Sequence, residues 1–233
     1  MNKAFTDAVQ NKIVKNNPCT NIKIKRSEEY EYYIYTEDEF NRLLECVHDT
    51  PDEIPIILAA LCGMRAVEVM GLMWENINFE TNEIKIVQNA VSVRKVTVVK
   101  EPKTYSSNRI IDMPEYVVGV LKKHKKEKGF VYPKKDGSPE NVDIYRERFL
   151  RLLKKNNLPR IRFHDLRHFN ATMMLKLGIS DKEASKILGH TNINMTKKYQ
   201  HILKSMKGRV AKEINTIVKI NTQGNQDGNQ IEE

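Results

Sequence analysis

The sequence predicts a mainly helical α+β domain with one small antiparallel sheet, and three observations carry that reading. Apolar residues recur at helical spacing through most of the chain, two Ser/Thr-x-x-Glu capping boxes mark helix starts, and strict apolar alternation is confined to residues 83–113. At 233 residues the chain is long enough to bury a sizeable core.

Taken in order, residues 1–17 read as a short helix that runs into "NNPCTNIKIKRSEEYEYYIY", a basic and then tyrosine-rich connector broken by Asn17-Pro18. The domain opens at "TEDEF", where Thr36 and Glu39 form a capping box ahead of the periodic "FNRLLECV". A second helix is expected from about Pro51 to Leu61, ended by Gly63. "RAVEVMGLMW" then gives a short third helix with Arg65 and Glu68 at i,i+3. "EIKIV", "VTVV" and "NRIIDM" alternate as strands of the sheet, with Lys103 in the turn region before the last of them. Helices are expected at 114–127, 142–156 and 163–177, the last stopping at Gly178. "SDKEASKIL" follows with a second capping box, Ser180 and Glu183, and a final helix spans 193–210. The Asn/Gln/Gly-rich end, 213–233, reads as a flexible tail.

Charge narrows the partner. Lys and Arg number 39 against 30 Asp and Glu, a net +9, and residues 1–220 hold about +12 because the last thirteen residues carry three acids and no base. Such a surface favours nucleic acid or an anionic membrane. The longest apolar run, "IPIILAALCGM", is too short to span a bilayer, and no basic amphipathic helix or leader pattern is present, so a cytoplasmic protein with no membrane partner is expected. Cys19, Cys46 and Cys62 are too scattered for a disulfide framework or a zinc site and read as reduced thiols.

The chemistry centres on "FHDLRH", residues 163–168. A metal reading needs three or four ligands at zinc-like spacing; His164 and His168 stand four apart, but Asp165 rather than a glutamate occupies the place of a metalloprotease's base, and no further ligand at such spacing accompanies them. A phosphate reading uses the planar fork of Arg167 and the ring nitrogen of His164, one turn away. Alone, the pair is equally a surface ion pair and a half-buried histidine. Arg65 with Glu68 is equally a surface pair, Lys103 has Lys100 as a rival, and Tyr199 is one of nine tyrosines. Trp74 and the methionines of "ATMMLKLG" read as core, and His168, offset by about 100° from Arg167 around a helix, as structural.

The company of these residues decides. "LCGMRAVEVMGLMW", "PKTYSSNRI", "FHDLRH", "LGH" ending at His190 and "TKKYQH" containing Tyr199 occur in this order, and together they resemble the catalytic domain of the tyrosine recombinases, the phage integrase family. The resemblance covers roughly residues 36–205. It implies that fold, with a three-stranded antiparallel sheet, over 36–212. Residues 1–35 would then be a linker or remnant of the family's amino-terminal DNA-binding domain, since too few residues precede Thr36 to form one. By the same resemblance Arg65, Lys103, His164, Arg167, His190 and Tyr199 are the catalytic set and Glu68 supports them. The implied activity is a site-specific recombinase or integrase of a phage or mobile element, working through a 3′-phosphotyrosyl intermediate with no metal and no cofactor. Double-stranded DNA with specific sites is the implied partner, bound by a homo-tetramer on paired DNA that is monomeric when free. Two alternatives stay open: a DNA-binding fragment that does not complete exchange, and a topoisomerase-like relaxing enzyme.

Overall fold

In the computed structural model the described residues are 1–20, 22, 33–94, 96–101 and 108–189. The chain divides into two compact units, Met1–Tyr32 and Tyr33–Glu233. The first holds α1 (Asn2–Gln10), whose start is tied to the following turn by Asn17, donating to the Asn2 side-chain oxygen at 2.8 Å and to Thr6 Oγ1 at 3.0 Å.

The second unit begins as its capping box dictates. Thr36 Oγ1 accepts from the Glu39 N–H at 3.2 Å while Glu39 Oε2 accepts from the Thr36 N–H at 2.8 Å, and α2 runs Glu37–Val47 with Phe40, Leu43 and Val47 buried. The next helix, α3 (Glu53–Ala60), is apolar all round beyond Glu53, and every one of its residues is buried, which places it at the centre of the core. At its end Gly63 takes φ +62, a left-handed conformation that a side chain would strain, and α4 (Ala66–Gly71) follows.

After one 3₁₀ turn come β1 (Ile77–Asn78), β2 (Glu83–Ile86), β3 (Asn89–Val93), β4 (Val96–Lys100) and β5 (Arg109–Asp112). A three-stranded antiparallel sheet forms in the order β1-β2-β5, with Ile84 opposite Ile111 and Ile86 opposite Arg109. The alternation expected of "EIKIV" and "NRIIDM" holds, since Ile84, Ile86 and Ile111 are buried while Ile110 is exposed. The strand "VTVV" belongs elsewhere. It forms β4, which among the described residues pairs only with β3 in a separate ribbon, and the third strand of the sheet is the two-residue β1. A two-residue connection between Val93 and Val96 closes that hairpin locally, at less cost in chain entropy than a distant pairing. The ribbon lies against α4 so closely that a Cβ on Gly71 would stand 2.8 Å from the Ala90 nitrogen.

Four more helices follow among the described residues: α5 (Glu115–Lys123), α6 (Val142–Lys155), α7 (Asp165–Lys176) and α8 (Asp181–Leu188). The first ends earlier than 127, where "KKHKKEK" places like charges at i,i+3 and i,i+4. Ser180 and Glu183 form their capping box, and Gly189 closes α8 in the left-handed region at φ 65. Trp74 is a core residue, whereas Met173 and Met174, expected in the core, are half-buried and line an apolar groove with Phe40 and Leu44 of α2. The helix expected at 193–210 and the tail 213–233 lie outside the described residues. No helix among the described residues is long and apolar enough to cross a membrane.

Candidate active site

The short helix α8 ends where three remote parts of the chain meet. Arg167, on α7, is 1% exposed; its Nη1 donates to the Gly63 carbonyl at 2.5 Å and its Nη2 to the Leu188 carbonyl. Arg65, at the start of α4, donates from Nη2 to the Gly189 carbonyl at 2.5 Å. Two guanidinium groups therefore gather at the carboxyl end of α8, where unpaired carbonyls and the helix dipole favour positive charge.

Why the chain arrives there follows from its backbone needs. The carboxyl end of α3 leaves carbonyls without helical partners, and α7 supplies them: Asn170 Nδ2 donates to the Ala60 and Leu61 carbonyls, both at 3.0 Å, next to the Arg167 bond to Gly63. Gly63 must be a glycine for packing as well, because a Cβ there would stand 2.4 Å from Leu188 Cδ2 and 2.8 Å from Asn170 Oδ1. The polar residues of α7 are thus internal ties, which explains a helix with no apolar face that nevertheless buries Asp165, Arg167, His168, Asn170 and Thr172.

Arg65 is fixed from its other side by Glu68. Glu68 Oε2 accepts from the Arg65 N–H at 2.8 Å and Oε1 from Arg65 Nη1 at 2.7 Å. Glu68 is 2% exposed, so the i,i+3 pair is no surface decoration. A second arginine holds it too: Arg109, at the start of β5, donates from Nη1 to Oε1 and from Nη2 to Oε2, both at 2.9 Å. Burial alone would raise the Glu68 carboxyl, but the Arg109 hydrogen bonds and charge, with Arg65 behind them, hold it down at about 2. Sequence reading did not single out Arg109. The signal was present, because strand alternation puts residue 109 on the same face as Ile111, and a basic residue facing the core requires a buried acid.

His164 precedes α7 and is exposed at its surface, yet protein surrounds it on the inner side. Desolvation first, then the charges of Arg167 and more distantly Arg162 and Arg65, push its pKa down to about 4, so the imidazole is neutral near pH 7. The same guanidinium groups thus act on His164 electrostatically. His168 is buried and stands edge-on to His164, ring centres 5.0 Å apart. Asp165 is bonded to Arg162, Oδ2 accepting its N–H at 2.8 Å and Oδ1 its Nη2 at 2.7 Å. Among the described residues the one group with metal-like donor spacing is His48, Asp49 and Glu53 on the α2–α3 turn, where Lys123 already pairs with Asp49 and Tyr116 with Glu53.

Of the seven residues expected in the site, the structure brings together Arg65, Glu68, His164 and Arg167. Lys103, His190 and Tyr199 lie outside the described residues. What is assembled among the described residues is a cationic group: one buried and one partly exposed arginine, each held by hydrogen bonds, beside a neutral imidazole able to accept a proton. Such a set can neutralise the non-bridging oxygens of a phosphodiester.

Comparison with known proteins identifies the family of the chain. The family model described as "Phage integrase family" matches residues 34–206. A "Tyrosine recombinase XerC-like" protein of Caldanaerobacter subterraneus is 25% identical over 91% of this chain and 63% of its own length. The "ICEBs1 integrase" of Bacillus subtilis is 24% identical over 94% of this chain and 64% of its own length. A solved structure of the Tn1549 transposon integrase in complex with a circular intermediate DNA superposes with a TM-score of 0.72 at 26% identity, covering 85% of this chain and 71% of that one. The chain spans somewhat under two thirds of the length of these curated relatives.

Proposed function

Because the chain belongs to the phage integrase family, we propose that it is a site-specific DNA strand transferase of a phage or integrative mobile element. It cleaves and rejoins DNA through a 3′-phosphotyrosyl intermediate. The observation that carries this reading is the convergence of Arg65 and Arg167 on the carbonyls of Leu188 and Gly189, immediately before His190 in sequence.

The roles follow from the charges. A phosphodiester repels nucleophiles, so Arg65, Arg167 and His190 hold its non-bridging oxygens and absorb the charge that grows on them during displacement. Tyr199 attacks phosphorus. Its phenol has an intrinsic pKa near 10, so its proton passes to a base as the new bond forms, and His164 is that base. Desolvation, and after it the arginine charges, keep His164 neutral before DNA arrives, and the incoming anion offsets the arginines' push, so the imidazole becomes more basic once substrate is in place. The bond between phosphorus and the 5′ oxygen breaks, and Lys103 donates a proton to that departing oxygen. The phosphotyrosyl ester retains the energy of the broken linkage, and a 5′ hydroxyl from another strand reverses the step without a nucleotide cofactor. The working assembly is a tetramer on paired sites formed from free monomers, acting where the DNA is, in the cytoplasm. Residues 36–212 form the catalytic domain.

The test is direct. A duplex carrying the site enriched from a random-sequence pool, nicked near the scissile phosphate so that religation is blocked, is incubated with the protein. A covalent protein–DNA adduct is expected, and Tyr199→Phe abolishes it. Binding without an adduct would leave a DNA-binding fragment in place of an enzyme, and sequence-independent relaxation of supercoiled plasmid would point to topoisomerase-like activity.

A further inference from the structure

We propose that Arg109 is a positioning residue for Arg65: it clamps Glu68, the carboxylate that orients Arg65, and supplies the second positive charge that keeps this group net cationic toward a phosphate. The inference rests on the reading of Arg65 as a phosphate ligand given above.

A carboxylate that orients an arginine by pairing with it also cancels its charge. Glu68 bonds both the backbone N–H and Nη1 of Arg65, so an isolated Arg65–Glu68 unit would present a neutral pair to an anion. Arg109 resolves the conflict. Its two Nη groups meet the two Glu68 oxygens at 2.9 Å each, giving a group of three charges with a net +1. The Arg109 side chain is only 8% exposed against 29% for Arg65, so the outer guanidinium is left to face the substrate and the inner one faces the carboxylate.

The strand fixes this arrangement. Arg109 pairs in register with Ile86 and shares its inward face with Ile111, and β5 is the strand that follows the Lys103 segment in sequence, six residues on. The clamp therefore joins α4 to the sheet at the end nearest, along the chain, to the proposed general acid. A lysine in place of Arg109 keeps the charge but loses the fork that grips both oxygens at once.

The experiment is single-turnover adduct formation on the nicked duplex, followed from pH 5 to 8.5 for the parent, Arg109→Lys, Arg109→Met, Glu68→Gln and the double variant Arg109→Met/Glu68→Gln. Removing the clamp is expected to slow cleavage roughly tenfold to a hundredfold at saturating DNA, the usual scale for a group that orients an active one. Arg109→Met is also expected to steepen the acid limb beyond the one that protonation of His164 gives the parent, because Glu68 without its main counter-charge takes up a proton as the pH falls. Arg109→Lys recovers part of the rate and moves the limb back toward acid. In the Glu68→Gln background, Arg109→Met adds less than about threefold, since it acts through the residue already changed. A parent-like pH profile in Arg109→Met, or losses that multiply fully in the double variant, would overturn the inference. So would an Arg109→Lys protein that does not fold, which would make the residue a scaffold element. No adduct from the parent on a bound site sinks the functional reading itself, an outcome distinct from all of these.

Discussion

Gly63→Ala is the sharpest perturbation this structure offers, because two independent costs meet at one methyl group. Residue 63 sits at φ +62, where an L side chain costs about 1–2 kcal/mol. The added Cβ would stand 2.4 Å from Leu188 Cδ2 and 2.8 Å from Asn170 Oδ1. The leucine methyl can swing aside, but Asn170 is anchored by bonds to the Ala60 and Leu61 carbonyls. Loosening that anchor costs about 1 kcal/mol, bringing the expected destabilisation to about 2–3 kcal/mol. Equilibrium urea unfolding followed by circular dichroism measures it. Gly119→Ala is the internal control: it lies within α5 with open space around its Cβ, and should stabilise by about 0.5–1 kcal/mol. If Gly119→Ala behaves so while Gly63→Ala stays within about 0.5 kcal/mol of the parent, the packing argument for this turn is wrong.

Acid should unfold the domain in two overlapping stages. His168, held at about 4 by desolvation and its neighbour His164, lies below the 6.5 of an unfolded imidazole, so the denatured chain binds the proton first and stability falls as the pH drops from about 6.5 to 4. Glu68, at about 2 against 4.5, contributes stability that is complete above about 4.5 and lost toward 2. Each is worth at most about 3 kcal/mol, and a flat unfolding free energy between pH 7 and 4.5 would contradict the histidine part. Asn141→Ala should cost about 1–2 kcal/mol, since its side-chain oxygen caps α6 by accepting from the Asp143 N–H at 2.9 Å; Asn141→Asp, which keeps the acceptor, should recover most of it in the same urea titration. Thiol labelling of the native protein should modify Cys46, which is exposed, and spare Cys62, which is 3% exposed with its thiol pushed up to about 12 by burial. Peptide mapping that finds Cys62 labelled at the rate of Cys46 would show that the α3–α4 turn opens freely.

What could be read from the sequence was local. Thr36 with Glu39 and Ser180 with Glu183 announce helix starts because the bonds that make them span three residues. Gly63 and Gly178 marked stops because only glycine takes their φ easily. Strand partners were not legible: "VTVV" alternates as well as "EIKIV", and nothing in a four-residue pattern says which neighbour it will bond. The two-residue β1 is too short to show any period at all. For the site, the pairing of Arg65 with Glu68 was visible at i,i+3, but not its burial, which depends on Arg109 arriving across the sheet from 41 residues away. Nor could the sequence show that Arg167 and Asn170 would satisfy the carbonyls at the end of α3.

The bonds from Arg167 to Gly63 and Leu188 give this residue a second employer. Truncating it would strand two buried carbonyls along with any loss of catalysis, so an inactive Arg167→Ala protein reports on folding and chemistry together. The structural duty stands apart from the proposed one: a chain that cut no DNA would still need this arginine for its architecture. A variant meant to test the proposed chemistry apart from the fold is therefore better made at Tyr199, the proposed nucleophile, than at Arg167.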